Sequence, residues 1–199
     1  MQLPDCGSFD YLPGFLGPAE AEECRSRLWR ELAWAQQEIK LFGRRVMQPR
    51  LTAWYGDAEA YYSYSGLMLE PLPWHPLLHH LKGRVEACTG LQFNSVLANA
   101  YRDGRDSMGW HSDDEKALGP RPFLASLSLG ATRRFLLRER DGASGERRNS
   151  IVLDLEPGSL LLMKGGSQQK FQHALPRTRR RVGLRINLTY RLIVTQAPV

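Results

Sequence analysis

The chain has 199 residues, 42% hydrophobic and 10% aromatic, which is enough apolar material for one buried core and argues against a disordered chain. The formal charge of +6 suits an anionic partner such as nucleic acid without requiring one. Cys6, Cys24 and Cys88 are far apart and form no Cys-x-x-Cys pair. The opening stretch lacks the pattern of a signal peptide, and no apolar run approaches the ~18 residues of a membrane span; a disulfide framework, a zinc ribbon and a membrane protein are therefore not expected.

In chain order, the first predicted element is a helix over 18–37. Pro18 suits its first position, acidic residues follow in the first turn, and Leu28, Leu32 and Ala35 recur at helical spacing. The aromatic and Gly-rich stretch 41–70 reads as hairpins and loops rather than part of a second core. A second helix is predicted over 75–90, where Leu77, Leu78, Leu81, Val85 and Cys88 make one stripe and Gly90 ends it. From Phe93 onward, short segments such as "SVLANAY", "FLASLSLG", "RRFLLRER", "SIVLDLE", "SLLLMK" and "LRINLTYRLIV" alternate with turn residues. Closely spaced strands with no helix between them give an α+β, mainly β fold: an antiparallel sandwich or barrel with the N-terminal helices packed outside. The reading is one domain over 1–199, divided at about residue 92 between helices with hairpins and the β core. With no heptad pattern, a monomer is expected.

Five histidines are available to chemistry. His75, His79 and His80 fall on the second helix with no carboxylate or cysteine to complete a ligand set. His111 opens a His-x-Asp with Asp113, and His173 follows 62 residues later, after an apolar strand. Two imidazoles and one carboxylate are the three-ligand face of non-haem Fe(II) oxygenases, which leaves positions open for co-substrate and O2. The strand after His173 adds Arg185 and Arg191, whose even spacing sends both side chains to one face with Asn187 between them. Inward guanidiniums on a core strand call for a buried anion, and a bidentate carboxylate suits them.

His111-Ser112-Asp113, His173 and the closing stretch with Arg185, Asn187 and Arg191 together resemble the AlkB family of Fe(II)- and 2-oxoglutarate-dependent dioxygenases. "NAYRDGRDSMGWHSDDE" is similar to the family's Asn-x-Tyr strand leading into the metal turn, and the resemblance covers roughly residues 40–193. "YGD" at 55–57, "YSG" at 64–66 and "ASLSLGATRRFLLR" resemble in particular the branch that repairs alkylated bases in duplex DNA.

The resemblance implies a double-stranded β-helix (jelly-roll) core with Fe(II) held by His111, Asp113 and His173. It implies 2-oxoglutarate held by Asn99, Tyr101, Arg185, Asn187 and Arg191, with O2 as oxidant. The implied reaction is oxidative demethylation of bases such as 1-methyladenine and 3-methylcytosine in DNA, releasing formaldehyde, succinate and CO2; RNA or a small molecule is the alternative substrate. A non-enzymatic nucleic-acid-binding module is the alternative to catalysis altogether. The target base must leave the stack to be reached. Glu115 is expected to face it, and Tyr64, with Ser65 beside it and Tyr62 or Trp54 as alternatives, to form a wall of its slot. Phe42 next to Gly43 resembles a finger that fills the vacated gap. Arg50 has a family counterpart near the DNA. Arg177, Arg179, Arg180, Arg181 and the stretch 138–148 are candidate phosphate contacts. The expected location is wherever DNA is kept, cytoplasmic and nucleoid-associated in a bacterium or nuclear in a eukaryote.

Overall fold

A computed structural model describes residues 8–41, 43–64, 67–140 and 150–194. Its elements in chain order begin with β1 (Phe9–Leu12), α1 (Pro18–Glu31), β2 (Glu38–Leu41), β3 (Arg44–Met47), β4 (Leu51–Gly56), β5 (Tyr62–Tyr64) and β6 (Leu67–Leu69). After α2 (Pro76–Thr89) come β7 (Ser95–Tyr101), β8 (Met108–His111), β9 (Leu124–Gly130), β10 (Arg133–Glu139), β11 (Ile151–Leu155) and β12 (Leu160–Met163). A four-residue α3 (Ser167–Lys170), β13 (Phe171–Leu175) and β14 (Arg185–Arg191) complete the fold.

The strands form a six-stranded sheet in the order β1-β12-β9-β14-β7-β4 and a four-stranded sheet in the order β11-β10-β13-β8, with every strand pairing antiparallel. Two hairpins, β2-β3 and β5-β6, stand apart from them. The sheets face each other. Phe9, Leu124, Leu161 and Met163 of the larger meet Phe135, Leu137, Leu153 and Phe171 of the smaller in one apolar cluster. This is the jelly roll expected, with α1 and α2 packed on the outer face of the larger sheet.

Strand β14 is the spine. It lies between β9 and β7, and all seven of its residues are buried. Strand alternation divides them. Ile186, Leu188 and Tyr190 point into the core shared with Leu28, Leu78, Leu81 and Val85 of the helices, where the Tyr190 hydroxyl donates to the Leu78 carbonyl at 3.1 Å. Arg185, Asn187, Thr189 and Arg191 point the other way, into a cavity between the sheets.

Three expectations need correction. The first helix ends at Glu31 rather than 37, because β4 captures the chain beyond it: the Ala35 amide donates to the Thr52 carbonyl at 2.9 Å and the Ala35 carbonyl accepts from the Thr52 amide at 2.8 Å, while the Ala33 amide donates to the Tyr55 hydroxyl. The stretch 41–70 is not all hairpin and loop, since β4 is an edge strand of the larger sheet. Its alternation is hidden because both of its faces are covered, Ala53 and Tyr55 in the main core and Trp54 in a second cluster with Ala60, Leu118 and Ile193. The sequence pattern does not show the short strands β1, β8 and β13, and two of these hold His111 and His173.

Candidate metal centre and its recess

Neighbouring short strands bring the two histidines together. In the β13-β8 ladder His173 lies opposite His111, and their ring centroids are 4.1 Å apart. His111 ends β8, and Asp113 follows two residues on. Its carboxylate oxygens lie 3.9 Å from Nε2 of each histidine. One potential ligand atom from each of the three residues falls within 4.8 Å of the other two, the only such group of His, Cys, Asp or Glu among the described residues.

The surrounding bonds aim these groups. His111 Nδ1 lies 2.8 Å from the Gly109 carbonyl, which can only accept, so the proton sits on Nδ1 and the Nε2 lone pair is left for a metal. His173 is held against the Phe135 ring at 5.3 Å. The Asp113 amide donates to Gln168 Oε1 at 3.0 Å, and Ser112 Oγ donates to the Phe171 carbonyl at 2.8 Å; both bonds fasten the turn to α3 and the start of β13.

The protonation states suit a cation. Burial lowers the pKa of His173 from the ordinary 6.5 to about 3, and the neighbouring His111 pushes it the same way. Burial likewise lowers that of His111, against the pull of Asp113. For Asp113 burial acts upward, but the carboxyl is held below its usual range, with the charge of Arg191, its Nη2 3.0 Å from Oδ1, the largest opposing influence. Two neutral imidazoles and an ionised carboxylate are the form in which these groups bind a divalent metal.

A stability prediction follows for the metal-free protein. Above pH 6.5 His173 is neutral in both folded and unfolded chains, and its contribution to stability is complete. Between pH 6.5 and about 3 the unfolded chain takes up a proton that the folded chain refuses, so stability should fall with pH, by up to ~1.4 kcal/mol per unit from this group. Denaturant unfolding in the presence of chelator measures the slope. His173→Gln should flatten it, and equal slopes for the two proteins would contradict the assignment.

Beside His111, Asp113 and His173 the cavity becomes a polar recess lined by Asn99, Tyr101, Ser126, Arg185, Asn187, Thr189 and Arg191. The strand registers assemble it: Asn187 pairs with Asn99 on one side and Ser128 on the other, and Arg185 pairs with Tyr101 and Gly130. Asn187 Nδ2 donates to Ser126 Oγ at 2.8 Å, and Arg185 Nη2 donates to Ser128 Oγ at 2.9 Å. Arg185 is 2% exposed, its Nε has no hydrogen-bond partner, and no carboxylate among the described residues lies within ion-pair distance of it. Burial lowers its pKa to about 10. A buried cation with open donors is costly unless an anion joins it. The donor set therefore fits both a divalent metal and, next to it, a carboxylate-bearing co-substrate.

The other residues singled out from sequence fall in different surroundings. Arg50 is not on the surface but buried in the same cavity, where its Nε donates to Asn99 Oδ1 at 2.9 Å. Glu115 starts the turn after Asp113 and is not among the residues lining the cavity. Asp114 is exposed and pairs with Arg140. Trp54 is core. Gly43 sits at the β2-β3 turn with a left-handed φ of 78°, a conformation suited to glycine. Arg177, Arg179, Arg180 and Arg181 are exposed on the connection between β13 and β14. Phe42, Ser65 and residues 141–149 lie outside the described residues, as do the side chains of Tyr62 and Tyr64. Sequence reasoning missed Ser126, Ser128 and Thr189. Serines at every second position of "ASLSLG" were the available signal, a polar face on an otherwise apolar strand.

Comparison with known proteins agrees with this geometry. Residues 8–191 match the 2OG-Fe(II) oxygenase superfamily. The chain is 42% identical over 186 residues to the bovine (Bos taurus) alpha-ketoglutarate-dependent dioxygenase alkB homolog 3, covering 91% of this chain and 64% of that one, so it spans just under two thirds of that relative's length. It is 41% identical over 184 residues to the human (Homo sapiens) DNA oxidative demethylase ALKBH2, covering 89% and 70%. Among solved structures, that of OsALKBH1 matches with a TM-score of 0.63 at 17% identity, covering 92% of this chain and 97% of that one, a likeness of fold.

Proposed function

The chain belongs to the 2OG-Fe(II) oxygenase superfamily, and from that premise we propose that it is a DNA oxidative demethylase acting on N-alkylated bases such as 1-methyladenine and 3-methylcytosine. One observation carries the reading: a neutral-imidazole and carboxylate triad within 4.8 Å lies beside a recess holding a buried arginine that has no carboxylate partner among the described residues. His111, Asp113 and His173 would hold Fe(II). The iron, with 2-oxoglutarate and O2, supplies the oxidation that hydroxylates the N-methyl carbon, after which formaldehyde leaves and succinate and CO2 remain.

The chain's own residues bind and orient. Arg191 is bonded to a metal ligand and so stands at the iron end of the recess; Arg185, against Tyr101 and Ser128, stands at the other end and takes the remote carboxylate. Asn99, Tyr101 and Asn187 complete the polar lining. Arg50 reinforces Asn99 from beneath. The apolar ring of Phe135 and the side chains of Met163 and Leu175 keep the ligand histidines away from bulk water. The likeness to the family assigns Glu115, in the turn beyond Asp113, to the flipped base and Tyr64, Ser65 and Tyr62 to its slot. By its likeness to the family, Phe42, next in sequence to Gly43 of the β2-β3 turn, would fill the vacated gap, with exposed Arg44 and Arg45 on β3 for phosphates. Names of the relatives support DNA as substrate. The enzyme then works where DNA is kept, as a monomer.

Succinate and formaldehyde release from methylated oligonucleotides, duplex and single-stranded side by side, tests the reading; no turnover on either with salt-sensitive binding retained would favour a non-catalytic nucleic-acid binder. RNA oligonucleotides in the same assay separate the alternative substrate. Phe42→Ala should lower duplex repair by roughly tenfold or more, the cost of losing one apolar wedge worth ~1–3 kcal/mol, while leaving single-strand repair nearly unchanged. Equal losses on both substrates would remove the wedge from the account.

A further inference from the structure

Arg133, the first residue of β10, is 3% exposed and lies outside the cavity lining, yet its guanidinium reaches segments next to it. Its guanidinium donates to three backbone carbonyls: Asp103 at 3.0 Å, Asp106 at 2.9 Å and Pro176 at 2.8 Å. The first two belong to the loop that joins Tyr101 on β7 to His111 on β8. The third follows β13, the strand of His173. One planar fork therefore ties together the exit of β7, which carries Tyr101, the entry of β8, which ends at His111, and the exit of β13, which carries His173. The loop and the segment after β13 also meet directly. The Thr178 amide donates to the Gly104 carbonyl at 2.8 Å, and a Cβ on Gly104 would collide with the Thr178 carbonyl. Within the loop, Asp106 accepts from the Arg102 amide at 2.9 Å and from its Nε at 2.7 Å, so the carbonyls offered to Arg133 are held still.

The same guanidinium lies over the Tyr101 ring, 5.9 Å from its centroid, and the Arg185 guanidinium lies over that ring at 5.4 Å. Two cations share one aromatic ring at the end of the recess remote from the metal ligands. A tyrosine attracted by both loses freedom to swing, and the second positive charge raises the potential felt by an anion there.

We infer that Arg133 is a positioning residue: it fixes Tyr101 and the loop behind it, and thereby tunes the far end of the recess for the second carboxylate of a 2-oxo diacid. This rests on the reading of Tyr101 and Arg185 as co-substrate residues. Lysine cannot replace Arg133, since an ammonium has no planar fork to span three carbonyls on two segments. Glutamine can satisfy only part of the set.

The test is calorimetric. The full chain loaded with redox-inert Mn(II) is titrated with 2-oxoglutarate in the unsubstituted form and in the variants Arg133→Lys, Arg133→Gln, Tyr101→Phe and Arg133→Lys/Tyr101→Phe. The expected result is unchanged Mn(II) affinity, 2-oxoglutarate affinity lowered roughly tenfold in each Arg133 variant, the size of one charge-assisted hydrogen bond, and a smaller effect of Tyr101→Phe in the lysine background than alone. Unchanged 2-oxoglutarate affinity, parallel loss of Mn(II) affinity, strictly additive effects, or failure of both single Arg133 variants to fold would each overturn the inference. If the unsubstituted chain takes Mn(II) but no 2-oxoglutarate, the reading of the recess falls first and this inference with it.

Discussion

His173→Ala should abolish demethylation while leaving a folded protein. The loss should exceed the roughly 10–100-fold that follows from removing an outer partner of a metal ligand, because here a ligand itself is lost. Two ligands remain where three are needed, so Fe(II) affinity and turnover should fall together. The fold should tolerate the change because His173 is buried in its neutral form, and its removal strands no charge. What is lost is the ring packed against Phe135 and His111, a cost of ~1–3 kcal/mol for the cavity. Asp113→Ala makes the informative contrast. It removes a ligand too, but it leaves Arg191 buried without the carboxylate that sits 3.0 Å away, and breaking a buried pair in this way costs ~3–5 kcal/mol. Both variants should be inactive, and the aspartate variant should also be the less stable by thermal or denaturant unfolding. Retained iron-dependent turnover in His173→Ala would remove the triad from the mechanism.

Arg185→Gln should move stability and function in opposite directions. In the protein without co-substrate this arginine is a buried cation whose only described side-chain hydrogen bond is to Ser128 Oγ, and its burial is costly enough to depress its pKa to about 10. A neutral amide of similar reach removes that cost, so the variant should be as stable as the parent or more so. Binding of 2-oxoglutarate should weaken roughly 10–100-fold, the range of a bidentate charged hydrogen bond, and the effect should appear in the KM for 2-oxoglutarate far more than in kcat or in the affinity for DNA. Gain of stability with loss of co-substrate affinity is the signature of a residue kept for its ligand. A variant that loses stability and binds 2-oxoglutarate normally would make Arg185 a framework residue.

The candidate triad and the two inward arginines were legible in the sequence for a definite reason, whereas Asn99 and Tyr101 were named only through the family resemblance. His-x-Asp and Arg-x-Asn are local patterns whose spacing alone fixes the face on which the groups emerge, and an arginine on an apolar strand announces an anion. The juxtaposition of His111 and His173 was not legible from spacing, because it depends on the pairing of β8 with β13, two strands of four and five residues too short to show alternation. Trp54, read as an alternative wall of the base slot, sits in the core because β4 is covered on both faces, a condition only tertiary structure imposes. Arg50 was expected near the DNA only through its counterpart in the resembled family; the turn at Pro49 and the start of β4 carry its side chain inward, where it bonds to Asn99. Arg133 gave no signal at all, since its partners are main-chain carbonyls, which every residue possesses.

Strand β14 has no exposed residue between Arg185 and Arg191. Its odd-numbered side chains serve the recess and its even-numbered ones the core, so a saturation library across these seven positions should return almost no neutral substitutions. Drift in this protein must then accumulate elsewhere, on the hairpins and outer loops. The outer surface can then diverge while the cavity between the sheets stays the same.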